Sequence, residues 1–225
     1  MIKYLKKILK INKKKKTSSY IRYDYLIEYI KKKQCKNILE IGTWNGNNTL
    51  KMLNAASTST NQNKEIKYWG FDLWELMNDE IFKKEYSKKP PSMESVKNKL
   101  DKTGCEINLY QGDTKHTLKD FNKLFKNKIK LDFIYIDGGH SFDTISSDWN
   151  YIKDFINENT IVIFDDYYIY TKPDITTGVG SDLKPTFGCN ETINKLDKTK
   201  WNVEILPNYD QFGPRKVFFV LVTKK

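Results

Sequence analysis

The chain has 225 residues, 39% of them apolar and 14% aromatic, which suits one α/β domain with a full core and would be cramped for two. Its formal net charge of +11 raises nucleic acid as a partner; yet the strongly basic residues are lysines except for Arg22 and Arg215, whereas base readers favour the bidentate fork of arginine, so nucleic acid is disfavoured. No apolar run approaches the roughly 18 residues of a bilayer span, lysines interrupt any secretory-signal pattern, and the odd, widely spaced Cys35, Cys105 and Cys189 exclude a disulfide framework and Cys-x-x-Cys metal spacing, which suits a reducing, cytoplasmic setting.

Residues 1–16 place Ile2, Leu5, Ile8 and Leu9 on one helical stripe among lysines. Such a segment either lies on an anionic membrane surface or a partner, or packs as a short basic helix on its own domain. The division expected is a basic N-terminal segment over 1–17 and a single domain over 18–225. A helix is expected over Tyr20–Lys33 with Ile21, Tyr25, Leu26 and Ile30 buried. It leads into a buried strand, Ile38-Leu39-Glu40-Ile41. Gly42 and Gly46 then punctuate a tight turn into a helix that starts near Asn48 or Thr49 and ends near Ala56, followed by a polar loop over Ser57–Asn63.

A second strand, Ile66–Phe71, ends on Asp72. Residues 74–95 are long for a βα connection and carry Pro90-Pro91 between two helical patterns, so they read as a lid or a substrate-recognition insert. Its aromatic residues, Trp74, Phe82 and Tyr86, together with Trp69, suit either sugar stacking or core packing. Ser92 starts the next helix and Gly104 ends it. The third strand, Glu106–Tyr110, leads to Gly112-Asp113, and the fourth, Leu131–Ile136, to Asp137 and His140. The fifth, Thr160–Phe164, runs into Asp165-Asp166. A loop over Tyr168–Pro185 is expected to shape an acceptor pocket, and Gly188 opens a short helix. Strands Trp201–Leu206 and Val217–Val222, joined by residues 207–214, complete the sheet.

The alternation of strands and helices predicts a doubly wound, mostly parallel sheet whose ligands bind beyond the carboxyl ends of the strands. Asp137, Asp165 and Asp166 converge there. Three carboxylates side by side require a cation among them, and all-oxygen donors suit Mg²⁺, Mn²⁺ or Ca²⁺ rather than zinc. An acid such as Asp72 at the end of the second strand suits the two hydroxyls of a ribose. Asp113 is either a helix N-cap or a ligand contact. His140, one of two histidines, is the leading general base, with Asp137 the alternative; a role in orienting a metal ligand is as well supported. His116 reads as a surface residue, and Cys189 as a weak nucleophile.

The run Glu40-x-Gly42-x-x-x-Gly46 differs from the dinucleotide pattern Gly-x-Gly-x-x-Gly. It resembles motif I of the class I S-adenosylmethionine-dependent methyltransferases. Ile136-Asp137-Gly138-Gly139-His140-Ser141-Phe142, then Asp148-Trp149, then Ile163-Phe164-Asp165-Asp166-Tyr167, resemble the metal-dependent small-molecule O-methyltransferases. The macrocin and mycinamicin sugar O-methyltransferases and the cephalosporin hydroxylase-type group are the most similar. The resemblance covers roughly residues 36 to 190. It implies a seven-stranded sheet with an antiparallel last strand. It also implies that Glu40, Gly42, Thr43, Gly46, Asp72, Asp113 and Asp137 hold the cofactor, with Asp113 at the adenine and Asp72 at the ribose. Asp137, Asp165 and Asp166 would hold a divalent ion beside the hydroxyl of a small-molecule or glycan acceptor. Catechol-type and RNA methyltransferases, and a non-catalytic binding protein of the same fold, are the rival readings; a homo-oligomer is left open.

Overall fold

The computed structural model describes residues 21–61, 63–85, 89–170 and 188–225. The expected amphipathic stripe over 1–16, Tyr86 and the pocket-shaping loop over 171–185 lie outside the described residues. The first described helix is α1 (Asp24–Lys33), followed by β1 (Asn37–Ile41), α2 (Asn47–Thr60) and β2 (Lys67–Asp72). Then come α3 (Asp79–Lys84), α4 (Met93–Leu100), β3 (Glu106–Gln111), α5 (Thr114–Phe125), β4 (Phe133–Ile136) and α6 (Phe142–Ile152). The chain ends with β5 (Ile161–Tyr170), α7 (Gly188–Lys195), β6 (Trp201–Phe212) and β7 (Arg215–Lys224).

The seven strands form one sheet in the order β3-β2-β1-β4-β5-β7-β6. β1, β2, β3, β4 and β5 pair in parallel, and β7 inserts antiparallel between β5 and β6. The direction reverses between β1 and β4, because β2 and β3 lie to one side and β5 to the other. This switch point opens a crevice at the carboxyl ends of β1 and β4.

Strand alternation distributes the core over both faces of the sheet. Ile38, Tyr68, Phe133 and Tyr135 join Leu26, Ile30 and Leu53 on one face, where α1 and α2 pack. Leu39, Trp69, Ile134 and Phe164 join Phe121, Ile145 and Trp149 on the other, under α5 and α6. The central strands are apolar on both sides because both sides are covered, the usual situation of a parallel sheet.

Four local expectations are corrected. Ile21 is 52% exposed and lies ahead of α1, and Tyr29 is buried in the helix face instead. Helix α2 continues through Ser57–Thr60, expected as loop, because these hydroxyls turn inward: Thr58 donates to the Asn54 carbonyl (2.7 Å) and Thr60 to that of Ala56 (2.9 Å). Strand β5 runs on past Phe164 to Tyr170, through a one-residue bulge between Phe164 and Tyr167 at which Asp166 has φ +60°. Residues 207–212 are strand rather than connector. β6 and β7 form a hairpin closed at Gly213-Pro214, and an irregular register between Ile205 and Tyr209 accommodates Pro207 on the edge strand.

No helix among the described residues is long and apolar enough to cross a membrane. Cys35, Cys105 and Cys189 are all buried free thiols.

Candidate active site

A cavity of about 590 Å³ opens at the switch point, and its walls include Gly42, Asp72, Asp113, Asp137, Asp165 and Asp166. The turn after β1 is shaped by close approach. Gly42 has φ +89°, and a Cβ placed on it would lie 1.9 Å from the Asp137 carbonyl oxygen. Only a glycine lets the two strand ends come this near. Trp44 follows at φ +47°, and its backbone N–H donates to Asp72 Oδ2 at 2.6 Å. The other Asp72 oxygen accepts from the Leu73 N–H at 2.7 Å. Asp72 is thereby fixed at the cavity wall. Asp113 likewise lines the cavity while capping α5 through the Lys115 N–H at 2.8 Å.

One oxygen from each of Asp137, Asp165 and Asp166 falls within 4.8 Å of the others. In a regular strand, adjacent Asp165 and Asp166 would point to opposite faces; the bulge turns both into the site. Two cations of the chain itself lie among these acids. Arg22, ahead of α1, is buried against Asp165 and donates from Nε to Asp210 Oδ2 at 2.6 Å. The guanidinium packs over the rings of Tyr23 (4.6 Å) and Phe219 (4.9 Å). His140 Nε2 faces Asp166 Oδ2 at 2.7 Å.

The Tyr135 hydroxyl bridges Asp137 (2.8 Å) and Asp165 (2.9 Å). Its single hydrogen serves one of them at a time. Asp165 accepts from Arg22 and the Asp166 N–H, with the Tyr23 and Tyr135 hydroxyls nearby, so its hydrogen-bonding capacity is well filled. Burial and the charge of Asp166 push the Asp137 carboxyl up to about 7, so near neutral pH it is poised to hold a proton or release it. Burial opposes a charged imidazole at His140, but the hydrogen bond and charge of Asp166 prevail and raise it to about 9. Its Nδ1 bonds to the Glu85 carbonyl, which can only accept. In this arrangement His140 therefore carries hydrogen on both nitrogens.

A family model described as a methyltransferase domain matches residues 39–167, more than half of the chain. The chain belongs to this methyltransferase family. No curated protein matches the sequence. Among solved structures, the methyltransferase is similar in fold to an O-methyltransferase from Bacillus cereus in complex with S-adenosylhomocysteine, with TM-score 0.60, 12% identity and coverage of 100% of this chain and 89% of that one. It is also similar to the O-methyltransferase TomG from Streptomyces achromogenes, involved in tomaymycin synthesis and solved with S-adenosylmethionine, with TM-score 0.57, 14% identity and coverage of 90% and 79%. A provisionally named rRNA methylase from Clostridium thermocellum matches with TM-score 0.57 and 14% identity over 92% of this chain and 100% of its own. At such identities the likeness is one of fold.

Three residues expected to hold the cofactor do not line the methyltransferase's cavity. Glu40 lies on the opposite side of β1, buried under α2, where it accepts from Thr49 Oγ1 (2.5 Å) and from the Tyr68 hydroxyl. Burial raises it to about 8. Thr43 contacts the same Tyr68 hydroxyl at 2.9 Å. Gly46, at φ +71°, begins α2 against Val96. These residues brace the turn from behind, so their influence on a ligand is through Gly42 and Trp44. Trp69 and Trp74 are core residues, 4% and 1% exposed, which leaves them out of acceptor stacking. His116 is exposed, as expected.

Sequence reasoning missed Arg22, Tyr135, Asp210 and Glu85. Arg22 was detectable as one of two arginines in a lysine-rich chain. Glu85, from the 74–95 insert, accepts from the backbone N–H groups of His140 and Ser141 (2.8 Å each) and from the hydroxyls of Ser141 (2.8 Å) and Thr144 (2.9 Å). It ties the insert to the His140 loop across the site, and no local pattern announces that pairing.

Asp148 on α6 is fully buried, and neither oxygen has a hydrogen bond of full geometry. Burial raises its carboxyl to about 7, offset only in part by the Thr114 hydroxyl. A folded-state value above the unfolded one, about 3.9, means that its contribution to stability is greatest below about pH 4 and is lost as pH rises toward 7. Asp148→Asn removes this dependence. The variant's stability relative to the parent is expected to be about 2–3 kcal/mol more favourable at pH 8 than at pH 5, measured by urea unfolding at both values. An equal difference at the two pH values would mean that Asp148 is not a buried, raised carboxyl.

Proposed function

We propose that this methyltransferase transfers the methyl group of S-adenosylmethionine to a hydroxyl oxygen of a small acceptor such as a sugar or related polyol. The observation that carries this reading is the convergence of Asp137, Asp165 and Asp166 in the cavity that also exposes Gly42 and Asp72. Gly42 and the Trp44 turn would accommodate the methionine end, Asp72 the ribose and Asp113 the adenine. S-adenosylmethionine would supply an electrophilic methyl on sulfur. Asp137, close to neutrality in its proton affinity, is the group suited to accept the hydroxyl's proton. His140, already protonated on both nitrogens, instead holds Asp166 in place and balances its charge.

The donor set fits a hard divalent ion. All its atoms are carboxylate oxygens, and with Asp210 the site holds more carboxylates than the two cations Arg22 and His140 neutralise. Asp137 and Asp166 would hold such an ion, with Asp165 beside them. Mg²⁺ or Mn²⁺ there would supply positive charge next to the accepting hydroxyl. A second reading, metal-free transfer, is favoured by the saturation of Asp165 and by the presence of Arg22 and His140 among the acids.

Calorimetric titration of S-adenosylmethionine and S-adenosylhomocysteine, with and without Mg²⁺, tests the cofactor assignment. Micromolar binding is expected, weakened at least about tenfold in Asp72→Ala. No binding in either condition would remove the proposal. Mn²⁺ titration followed by electron paramagnetic resonance tests the metal. Binding lost in Asp137→Asn supports the carboxylate site, whereas no binding together with full turnover in EDTA leaves the metal-free reading.

A further inference from the structure

The only two arginines of the chain, Arg22 and Arg215, both line the cavity. Arg22 is consumed by Asp165 and Asp210. Arg215 is not: among the described residues it has no ion pair, and its Nε is buried without a hydrogen-bond partner. A buried donor left without a partner carries a desolvation cost that a bound acceptor would relieve. The guanidinium is nevertheless held in place by its position at the β6–β7 turn, opposite Phe212 in register. The Tyr168 and Phe212 rings flank it at 5.4 and 5.8 Å. In a chain that uses lysine at its other basic positions, a rigid planar fork at this point matches the geometry of a carboxylate or phosphate, which a lysine would not.

Tyr168 sets the distance to the reaction centre. Its ring lies under Arg215, while its hydroxyl donates to Asp166 Oδ1 at 2.9 Å. A group bound by Arg215 is thus separated from the carboxylate cluster by little more than one aromatic ring.

We infer that the acceptor is a small hydroxy compound bearing a carboxylate or phosphate, which Arg215 binds while a hydroxyl a few bonds away reaches Asp137 and Asp166. A sugar acid or sugar phosphate has this spacing. The inference rests on the proposed small-molecule O-methyl transfer, and it sharpens the acceptor class from neutral diols to anions. Arg215 would act as a specificity residue, contributing binding rather than chemistry. Phe212, 54% exposed at the rim, provides an apolar edge for the acceptor.

The test is calorimetric titration of glucuronate, glucose 6-phosphate and glucose into the full chain, alone and after saturation with S-adenosylhomocysteine. At least one anion is expected to bind roughly tenfold or more tightly than glucose. Arg215→Gln should abolish the difference, Arg215→Lys should restore part of it, and Lys216→Gln, which removes a neighbouring charge stacked on Tyr209, should leave it unchanged. Far-ultraviolet circular dichroism confirms that each variant is folded. Equal binding of anions and glucose by the parent protein, or an anion preference that survives Arg215→Gln, overturns the assignment. Failure of S-adenosylhomocysteine to bind would instead count against the cofactor reading, and the anion arm without cofactor is read separately from it. If glucose 6-phosphate alone shows the preference, the recognised group is a phosphate; if glucuronate alone, a carboxylate.

Discussion

Gly42→Ala is expected to lower stability by roughly 3–5 kcal/mol and to abolish cofactor binding. Two costs add. At φ +89° the backbone is in a region that L side chains rarely adopt. The new methyl would also meet the Asp137 carbonyl oxygen at 1.9 Å and the Gly138 nitrogen at 2.8 Å, and both are backbone atoms that cannot rotate aside. Relief requires the ends of β1 and β4 to separate, and the Asp137 N–H to Ile41 carbonyl bond (2.8 Å) holds those ends together. Thermal melting and S-adenosylhomocysteine titration read the two effects. Gly46→Ala, where the neighbour at 3.1 Å is a movable valine methyl, should cost less and retain binding. If the two variants behaved alike, the tight approach at Gly42 would carry no special weight.

Arg22→Met is the second substitution with a large expected effect. It preserves much of the packing on Tyr23 and Phe219 but leaves Asp137, Asp165, Asp166 and Asp210 with His140 as the nearby cation. Breaking one side of a buried ion pair costs about 3–5 kcal/mol, which for a chain of this length corresponds to a melting shift of roughly 6–20 °C. The loss should be largest at pH 8 and shrink toward pH 5. Arg22 lowers the proton affinity of both Asp137 and Asp166; without it these two carboxyls take up protons more readily in the folded state, so stability that is missing when they are ionised returns as pH falls. A deficit that grew on acidification would show that Arg22 is not their counterion. The parent protein and the variant should be compared with and without Mg²⁺. A divalent ion that substitutes for the lost charge would recover part of the difference.

The sheet was legible because its strands are short apolar runs set off by glycines and acids, and because the acids themselves mark strand ends. The residues 137, 165 and 166 were placed together by topology alone, since a parallel sheet aligns its carboxyl ends. Asp72 and Asp113 were located at the cavity by the same logic. Glu40 stays off the cavity wall for a reason of parity: it shares the helix-covered face of β1 with Ile38, whereas Ile41 and Gly42 reach the cavity. The place of Arg22 among the acids was not legible, because it comes from a segment more than a hundred residues away and approaches through tertiary packing. The contact between Glu85 and the His140 loop was hidden likewise. The hairpin over 201–224 was read short because Pro207 and Asn208 look like loop in sequence. On an edge strand with an irregular register they cost the sheet little.

The bulge at Asp166 also constrains how this site can change. At φ +60°, aspartate, asparagine and glycine are the side chains that tolerate the local backbone at modest cost. Glycine would relax the chain and delete the carboxylate, whereas glutamate would keep the charge but carry it on a backbone it strains. Asparagine alone preserves both the shape and an oxygen directed at the site. The single-step alternatives open to this position are therefore set by backbone geometry before chemistry selects among them. A saturation library at residue 166, sorted first for folding and then for turnover, should yield two unequal sets, with glycine and asparagine prominent in the first and aspartate dominant in the second.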